Sequence, residues 1–131
     1  MKQNNTRFSI SLPQSNLAAI LADHNLAALG DAFINFAYSL ALSRRKGVPD
    51  GKKVKGSILA EALRRAGLRD YVPSSVSSHV LADAAEALLV YAWLQNCLTL
   101  EESVATLEKN EDFTDGLSRL LLTARNRIKL S

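Results

Sequence analysis

The chain has 131 residues, a formal net charge of +3 and a hydrophobic fraction of 47%, which suffices for one domain with its own core and not for two. Its single cysteine excludes an internal disulfide and a cysteine-cluster metal site and is compatible with a reducing compartment, so we expect a cytoplasmic protein. Residues 1–16 lack the apolar core of a signal peptide, and we find no apolar run of about 18 residues that would predict a membrane span.

The apolar spacing predicts an all-α bundle of about six helices in a single domain over residues 1–131. Residues 7–12 alternate with a period of two, which predicts an extended N-terminal segment within residues 1–13, with Phe8, Ile10 and Leu12 on one side. Helices are predicted over residues 13–22, 25–45, 55–66, 77–96, from 99 onward, and 114–129.

Local signals support these boundaries. Gly67 follows the third predicted helix, where a left-handed cap favours glycine. Thr99 and Glu102 have the spacing of a capping box at the start of the fifth. The fourth predicted helix is apolar almost all round, which is typical of the central helix of a bundle.

Three acidic residues lie within predicted core helices. Asp31 belongs to the second helix, and the spacing of three between Asp83 and Glu86 places them on one face of the fourth. A buried carboxylate is costly unless it is paired or binds a metal ion. Asp31 and Glu86 together could hold Mg²⁺, which takes one or two carboxylates with water and phosphate oxygens, and Asp83 could assist.

A structural interpretation of these acids stays open at this point. Buried carboxylates also cap neighbouring helices or pair with arginines from elsewhere in the chain. Arg64, Arg65 and Arg119 are the candidates for such pairs.

Three segments resemble the catalytic domain of ribonuclease III. Residues 26–33, Leu-Ala-Ala-Leu-Gly-Asp-Ala-Phe, resemble the signature in which Leu-Gly-Asp carries a catalytic aspartate. Residues 81–88, Leu-Ala-Asp-Ala-Ala-Glu-Ala-Leu, resemble the family's second acidic motif, and residues 58–71 resemble its connecting helix and Gly-Leu turn. The three matches follow the family order and cover roughly residues 24 to 98.

The resemblance implies a homodimeric, metal-dependent endoribonuclease that cuts double-stranded or structured RNA and leaves 5′-phosphate and 3′-hydroxyl ends. It implies that Asp31, Glu86 and Asp83 are both catalytic residues and metal ligands. Mg²⁺, or Mn²⁺ in its place, would polarise the scissile phosphate and lower the pKa of a bound water. A surplus of apolar surface on the fourth helix, at Tyr91, Trp93 and Leu94, also favours a dimer, although core packing explains these side chains equally well.

The chain departs from full-length members of the family at two positions. They carry glutamates where this sequence has His24 and Ala27, a departure shared by the compact, active Mini-III members. The chain also leaves no room for the family's double-stranded-RNA-binding domain, so we expect this domain to bind substrate alone. A catalytically impaired RNA-binding protein is the alternative, and a helical dimerisation domain without nucleic acid is a third hypothesis.

Three polar residues near the acids could assist them. His24 lies two turns before Asp31 and could contact phosphate or act as a general acid, although a surface or capping role explains it as well. His79 lies one turn before Asp83, and the same two interpretations apply to it. Asn35, one turn after Asp31, could donate a hydrogen bond to it or simply be a polar helix residue.

Between residues 44 and 69 the chain carries nine basic and two acidic residues, a net charge of +7. Such a concentration is typical of a surface that binds phosphate backbones, and duplex RNA is recognised mainly through its shape and backbone. The alternative is an ordinary solvated loop and helix face. The predicted RNA-binding residues are Arg44, Arg45, Lys46, Lys52, Lys53 and Lys55.

Overall fold

A computed structural model describes residues 5–12, 16–73 and 75–130. Within them the chain forms an all-helical domain without strands, as predicted. The helices are α1 (Leu17–Leu21), α2 (His24–Lys46), α3 (Gly56–Arg65), α4 (Ser78–Leu94), α5 (Leu100–Lys109) and α6 (Phe113–Arg127). Residues 1–4 and 13–15, which include parts of the predicted extended segment and first helix, lie outside the described residues.

Helix α4 is the central helix of the bundle. Every residue from 84 to 92 is buried, and α1, α2, α3 and α6 all pack against it. Glu86 is the only charged residue in that buried run. The prediction of a central fourth helix is therefore confirmed, and its one buried charge needs a separate explanation.

The backbones of α2 and α4 touch at Gly30. A Cβ atom at this position would lie 2.0 Å from the carbonyl oxygen of Glu86 and 2.5 Å from its carbonyl carbon, so no side chain fits. The next residue in the chain is Asp31. The small size of glycine thus allows the close crossing that places Asp31 beside Glu86.

The predicted helix ends are formed by local hydrogen bonds. The Asp23 carboxylate accepts from the Leu26 N–H at 2.8 Å at the start of α2. Gly67 has a φ of 74° just beyond α3, as predicted. Thr99 Oγ1 accepts from the Glu102 N–H at 3.0 Å. The Glu102 carboxylate meets Arg127 Nη1 at 2.7 Å, an ion pair that the capping-box pattern does not predict.

The prediction of an extended segment is wrong at Arg7–Ser9, which form a 3₁₀ turn. Phe8 has a φ of 57° and is 81% exposed. The cause is Arg7, whose guanidinium donates to the carbonyl oxygens of Trp93 (2.6 Å) and Leu98 (3.0 Å) and lies over the Trp93 ring. These contacts satisfy carbonyl groups at and beyond the end of α4 and fix the turn there.

Helix α2 is long and apolar enough to cross a membrane by length and composition, with a mean hydropathy of 1.3 over its best window. No uninterrupted apolar run of this length exists, however, since Asp31 and Asn35 lie within the helix. In the structure one face of α2 packs against α4 and α5, and the helix carries Asp31 and Asn35 in its middle. We interpret α2 as a core helix of the bundle.

Candidate active site between α2 and α4

The crossing of α2 and α4 creates a cavity of about 330 Å³ that gathers the acidic residues of both helices. The two helices supply its whole lining. The lining residues are His24, Ala27, Ala28, Asp31, His79, Asp83 and Glu86. The structure therefore brings together all three predicted carboxylates and both histidines, although they come from segments about fifty residues apart.

The three carboxylates differ in exposure. Glu86 is only 6% exposed, Asp83 is half-buried, and Asp31 is exposed. Burial raises the pKa of Glu86 to about 8, and the hydrogen bond with Asp31 and the negative charges of Asp31 and Asp83 act in the same direction. The negative charge of these three carboxylates therefore exceeds the positive charge that the surrounding side chains supply.

The ion-pair interpretation of these acids does not agree with the structure. Arg64 and Arg65 pair with Glu61, and Arg65 also reaches two acids of the α6 region. Among the described residues, no arginine or lysine forms an ion pair with Asp31, Asp83 or Glu86. Of the two histidines that line the cavity, His79 has its Nε2 3.7 Å from Asp83 Oδ2.

The donor set fits a hard divalent cation. No three His, Cys, Asp or Glu side chains in the described part of the chain converge into a closed metal site. Mg²⁺ does not require one, since it commonly binds through one or two carboxylates and completes its shell with water and phosphate oxygens. Asp31 and Glu86, within hydrogen-bonding reach of each other, form an open pair of this kind.

Three polar side chains spaced four residues apart on α2 connect the site to the loop that follows the helix. Asn35 Nδ2 donates to Asp31 Oδ1 at 2.9 Å, and Asn35 Oδ1 accepts from the Val54 N–H at 2.7 Å. Farther along α2, Ser39 and Ser43 bind the loop backbone in the same way. Sequence reasoning identified Asn35 but missed the serines, although three polar residues at a spacing of four opposite a turn-rich loop are a visible signal.

The basic segment divides into paired and unpaired groups. Lys52, Lys53 and Lys55 are exposed and form no ion pair with any described residue. We call residues 51–55, which contain them, the lysine loop. By contrast, Arg44 pairs with Glu108 at 2.9 Å, and Lys46 pairs with Asp50 at 2.6 Å.

Arg45 has a structural position that the sequence does not reveal. Its guanidinium donates to the carbonyl oxygens of Glu108 and Asn110 at the end of α5. Those carbonyls lack partners within the helix, so Arg45 caps α5. RNA binding by Arg44, Arg45 and Lys46 stays a prediction, whereas the three lysine side chains of the lysine loop form no ion pair with any described residue.

Fold and site together define a class of protein. It is a helical domain with an open carboxylate pair between two crossed core helices, α2 and α4, and with a basic loop hydrogen-bonded to α2. A family model described as Ribonuclease III matches residues 24–121, about three quarters of the chain. The chain belongs to the ribonuclease III family, and the resemblance in the sequence is confirmed. No curated protein matches the chain significantly.

Proposed function

We propose that this protein is a metal-dependent endoribonuclease that hydrolyses phosphodiester bonds in double-stranded or structured RNA and leaves 5′-phosphate and 3′-hydroxyl ends. The observation that carries the proposal is the meeting of the two family motifs in one cavity. There Glu86 is buried beside Asp31 and Asp83, and no described lysine or arginine forms an ion pair with it. Family membership supports the substrate class.

The proposed division of labour follows from exposure and charge. Asp31 and Glu86 would hold Mg²⁺ or Mn²⁺, and Asp83, next to His79, would complete the acidic wall. A bound divalent ion supplies polarisation of the scissile phosphate and a water of lowered pKa. The lysine loop would bind the RNA backbone, since its three ammonium groups are exposed.

Ala27 favours a second candidate function, a catalytically impaired RNA-binding protein. It is buried and lines the cavity where a glutamate would add a further ligand. The same protein would then bind duplex RNA without cutting it.

Incubation with an end-labelled RNA duplex tests both candidates, with Mg²⁺, with Mn²⁺ and with chelator. Products with 5′-phosphate ends that require metal would establish the endoribonuclease. Salt-dependent binding without products in either metal would establish the impaired protein instead. Absence of both binding and products at low salt would contradict both.

Removing the charge of the lysine loop is expected to weaken RNA binding. In the triple variant Lys52→Ala, Lys53→Ala and Lys55→Ala, we expect duplex affinity at low salt to fall about tenfold or more. The slope of log affinity against log salt should also become shallower by about 2 to 3, because each lost phosphate contact releases roughly one counterion fewer. Fluorescence anisotropy over a salt series measures both quantities.

A charge-matched control is available elsewhere on the surface. The exposed residues Lys109, Arg119 and Lys129 lie outside the basic segment, and their replacement by alanine removes the same net charge. Equal loss of affinity in both triple variants would mean that only overall charge matters and that the lysine loop is not the RNA-binding surface.

We further propose that the protein works as a homodimer through the outer face of α2. Of the side chains expected to form an apolar surplus on α4, Tyr91 and Leu94 are buried in the chain's own core, and Trp93 is half-buried beside Phe8 and Phe33. Instead α2 exposes Leu29 (41%) and Phe36 (55%), which are seven residues apart and therefore on one face. This face is the apolar surface most suited to a second copy of the chain.

Phe36→Glu is expected to convert the dimer into a monomer, because it places a charge in an apolar interface. Light scattering or sedimentation at micromolar concentration measures the mass. Val48→Glu is the matched control, since Val48 is equally exposed (58%) but lies in the loop after α2. A parent protein that is monomeric, or a Phe36→Glu variant that stays dimeric, would contradict this proposal.

A further inference from the structure

Asn35 links two parts of the molecule that the proposed function uses separately. Its side-chain amide has two polar ends, and both are engaged. The Nδ2 group donates to Asp31 Oδ1 at 2.9 Å, and Oδ1 accepts from the Val54 N–H at 2.7 Å. One planar group therefore touches a carboxylate of the site and the backbone of the lysine loop.

The loop is fastened to α2 along its length. Ser39 Oγ accepts from the Lys52 N–H and donates to the Lys52 carbonyl oxygen, at 2.9 and 3.0 Å. Ser43 Oγ accepts from the Asp50 N–H at 2.9 Å and lies 3.2 Å from the Asp50 carbonyl oxygen. Steps of four residues on the helix thus meet steps of two residues in the loop. Because these two spacings match, the hydrogen bonds hold the lysine-bearing segment at a fixed distance from α2.

The chemistry of residue 35 suits a connector. Asparagine is neutral, so it orients the Asp31 carboxylate without neutralising the charge that a metal ion would bind. A lysine or arginine at this position would instead compete with the ion. The amide also has no rotatable bond between its donor and its acceptor. A displacement of the Val54 N–H therefore turns the group that holds Asp31.

We propose that Asn35 is a positioning residue that couples binding of an RNA phosphate backbone at the lysine loop to the orientation of the Asp31 carboxylate. The inference rests on the proposed function for its substrate. When the backbone binds the lysine loop, Val54 is fixed, Asn35 is fixed with it, and Asp31 is oriented for the ion. Through this coupling, binding of a duplex at the lysine loop also aligns the carboxylates with it.

Three variants separate the two halves of this coupling. Asn35→Ala removes both hydrogen bonds. Asn35→Asp can still accept from the Val54 N–H but cannot donate to Asp31. Ser39→Ala releases the loop at Lys52 and leaves Asn35 and Asp31 untouched.

Single-turnover cleavage of an RNA duplex gives the maximal rate and the apparent Kd for each variant. For Asn35→Ala we expect a maximal rate lower by about tenfold or more and a weaker apparent Kd. For Asn35→Asp the maximal rate should stay low while the apparent Kd returns towards that of the parent. For Ser39→Ala the apparent Kd should weaken by a few fold at an unchanged maximal rate. A merely structural role for Asn35 predicts that all three variants lose rate in proportion to their loss of thermal stability, and that result would overturn the proposal.

A spectroscopic arm tests the coupling without relying on activity. In chelator, a ¹⁵N-labelled parent protein is titrated with the same RNA duplex. We expect the Asn35 side-chain amide and the Val54 backbone amide to shift together, with one apparent Kd. Shifts at Val54 with none at Asn35, or no shift at either, would overturn the proposal. If the parent shows the joint shift but cuts no RNA in either metal, the proposed catalytic function fails and the coupling stands.

Discussion

Replacing Glu86 with glutamine is expected to abolish RNA cleavage and at the same time to stabilise the fold. Cleavage should fall by on the order of 10³-fold or more, since the variant removes the buried carboxylate of the proposed metal pair. Stability should rise because the parent buries this carboxylate near two other negative charges, which raises its pKa to about 8. Catalysis and stability thus change in opposite directions.

The pH dependence of this gain has a definite sign. The unfolded chain loses the Glu86 proton near its ordinary pKa of 4.5, whereas the folded, metal-free protein retains it up to about pH 8. The unfolded state therefore binds fewer protons between these values, and the parent loses stability as pH rises from 4.5 to 8. Glutamine does not titrate, so the Tm difference should be small near pH 4 and increase to roughly 5 °C or more by pH 8.

Thermal melts in chelator across this pH range measure the effect, and the duplex assay measures the rate. Glu111→Gln is the control, because Glu111 is exposed and forms no ion pair with any described residue; it should change neither quantity. Added Mg²⁺ should raise the Tm of the parent and not that of Glu86→Gln. A Glu86→Gln variant that cuts as well as the parent would show that the site is assigned wrongly.

Replacing Gly30 with alanine is expected to destabilise the protein by about 3 kcal/mol or more, or to prevent folding. Alanine would ordinarily stabilise the middle of a helix by about 1 kcal/mol relative to glycine. Here the added methyl group would lie 2.0 Å from the Glu86 carbonyl oxygen. The obstacle is backbone, not a flexible side chain, so α2 and α4 must separate and the clash outweighs the propensity.

Denaturant unfolding measures the loss, and the duplex assay should show that cleavage falls with it, because Asp31 moves away from Glu86. Gly56→Ala is the matched control. Gly56 is also helical, and its added methyl group would meet only the Ala82 side chain at an ordinary 3.9 Å. Equal stability of the Gly30 and Gly56 variants would mean that the close crossing is not what holds the two carboxylates together.

Many features of this fold can be predicted from the sequence, because they depend on interactions between residues close together in the chain. Helix boundaries follow from periodicity and from caps, which involve residues within a few positions of each other. Both ends of α2, α3, α4 and α6 and the start of α5 agree with the prediction to within two residues. The central position of α4 follows from a sequence that is apolar almost all round. The site could be anticipated because Leu-Gly-Asp and the second acidic motif each place a carboxylate on a helix that must be buried.

The helices, the central position of α4 and the family could therefore be predicted from the sequence. The remaining features could not, because each of them depends on partners far apart in the chain. Arg7 changes residues 7–9 from an extended segment into a turn by binding carbonyl groups of residues 93 and 98. Arg45 and Arg65 bind groups on α5 and near α6, so their positive charges are not available to a ligand. Ser39 holds the lysine loop against α2 by a hydrogen bond. A pattern within one segment carries no information about such contacts, since charge and hydrogen-bonding capacity are satisfied by whichever groups the fold brings near.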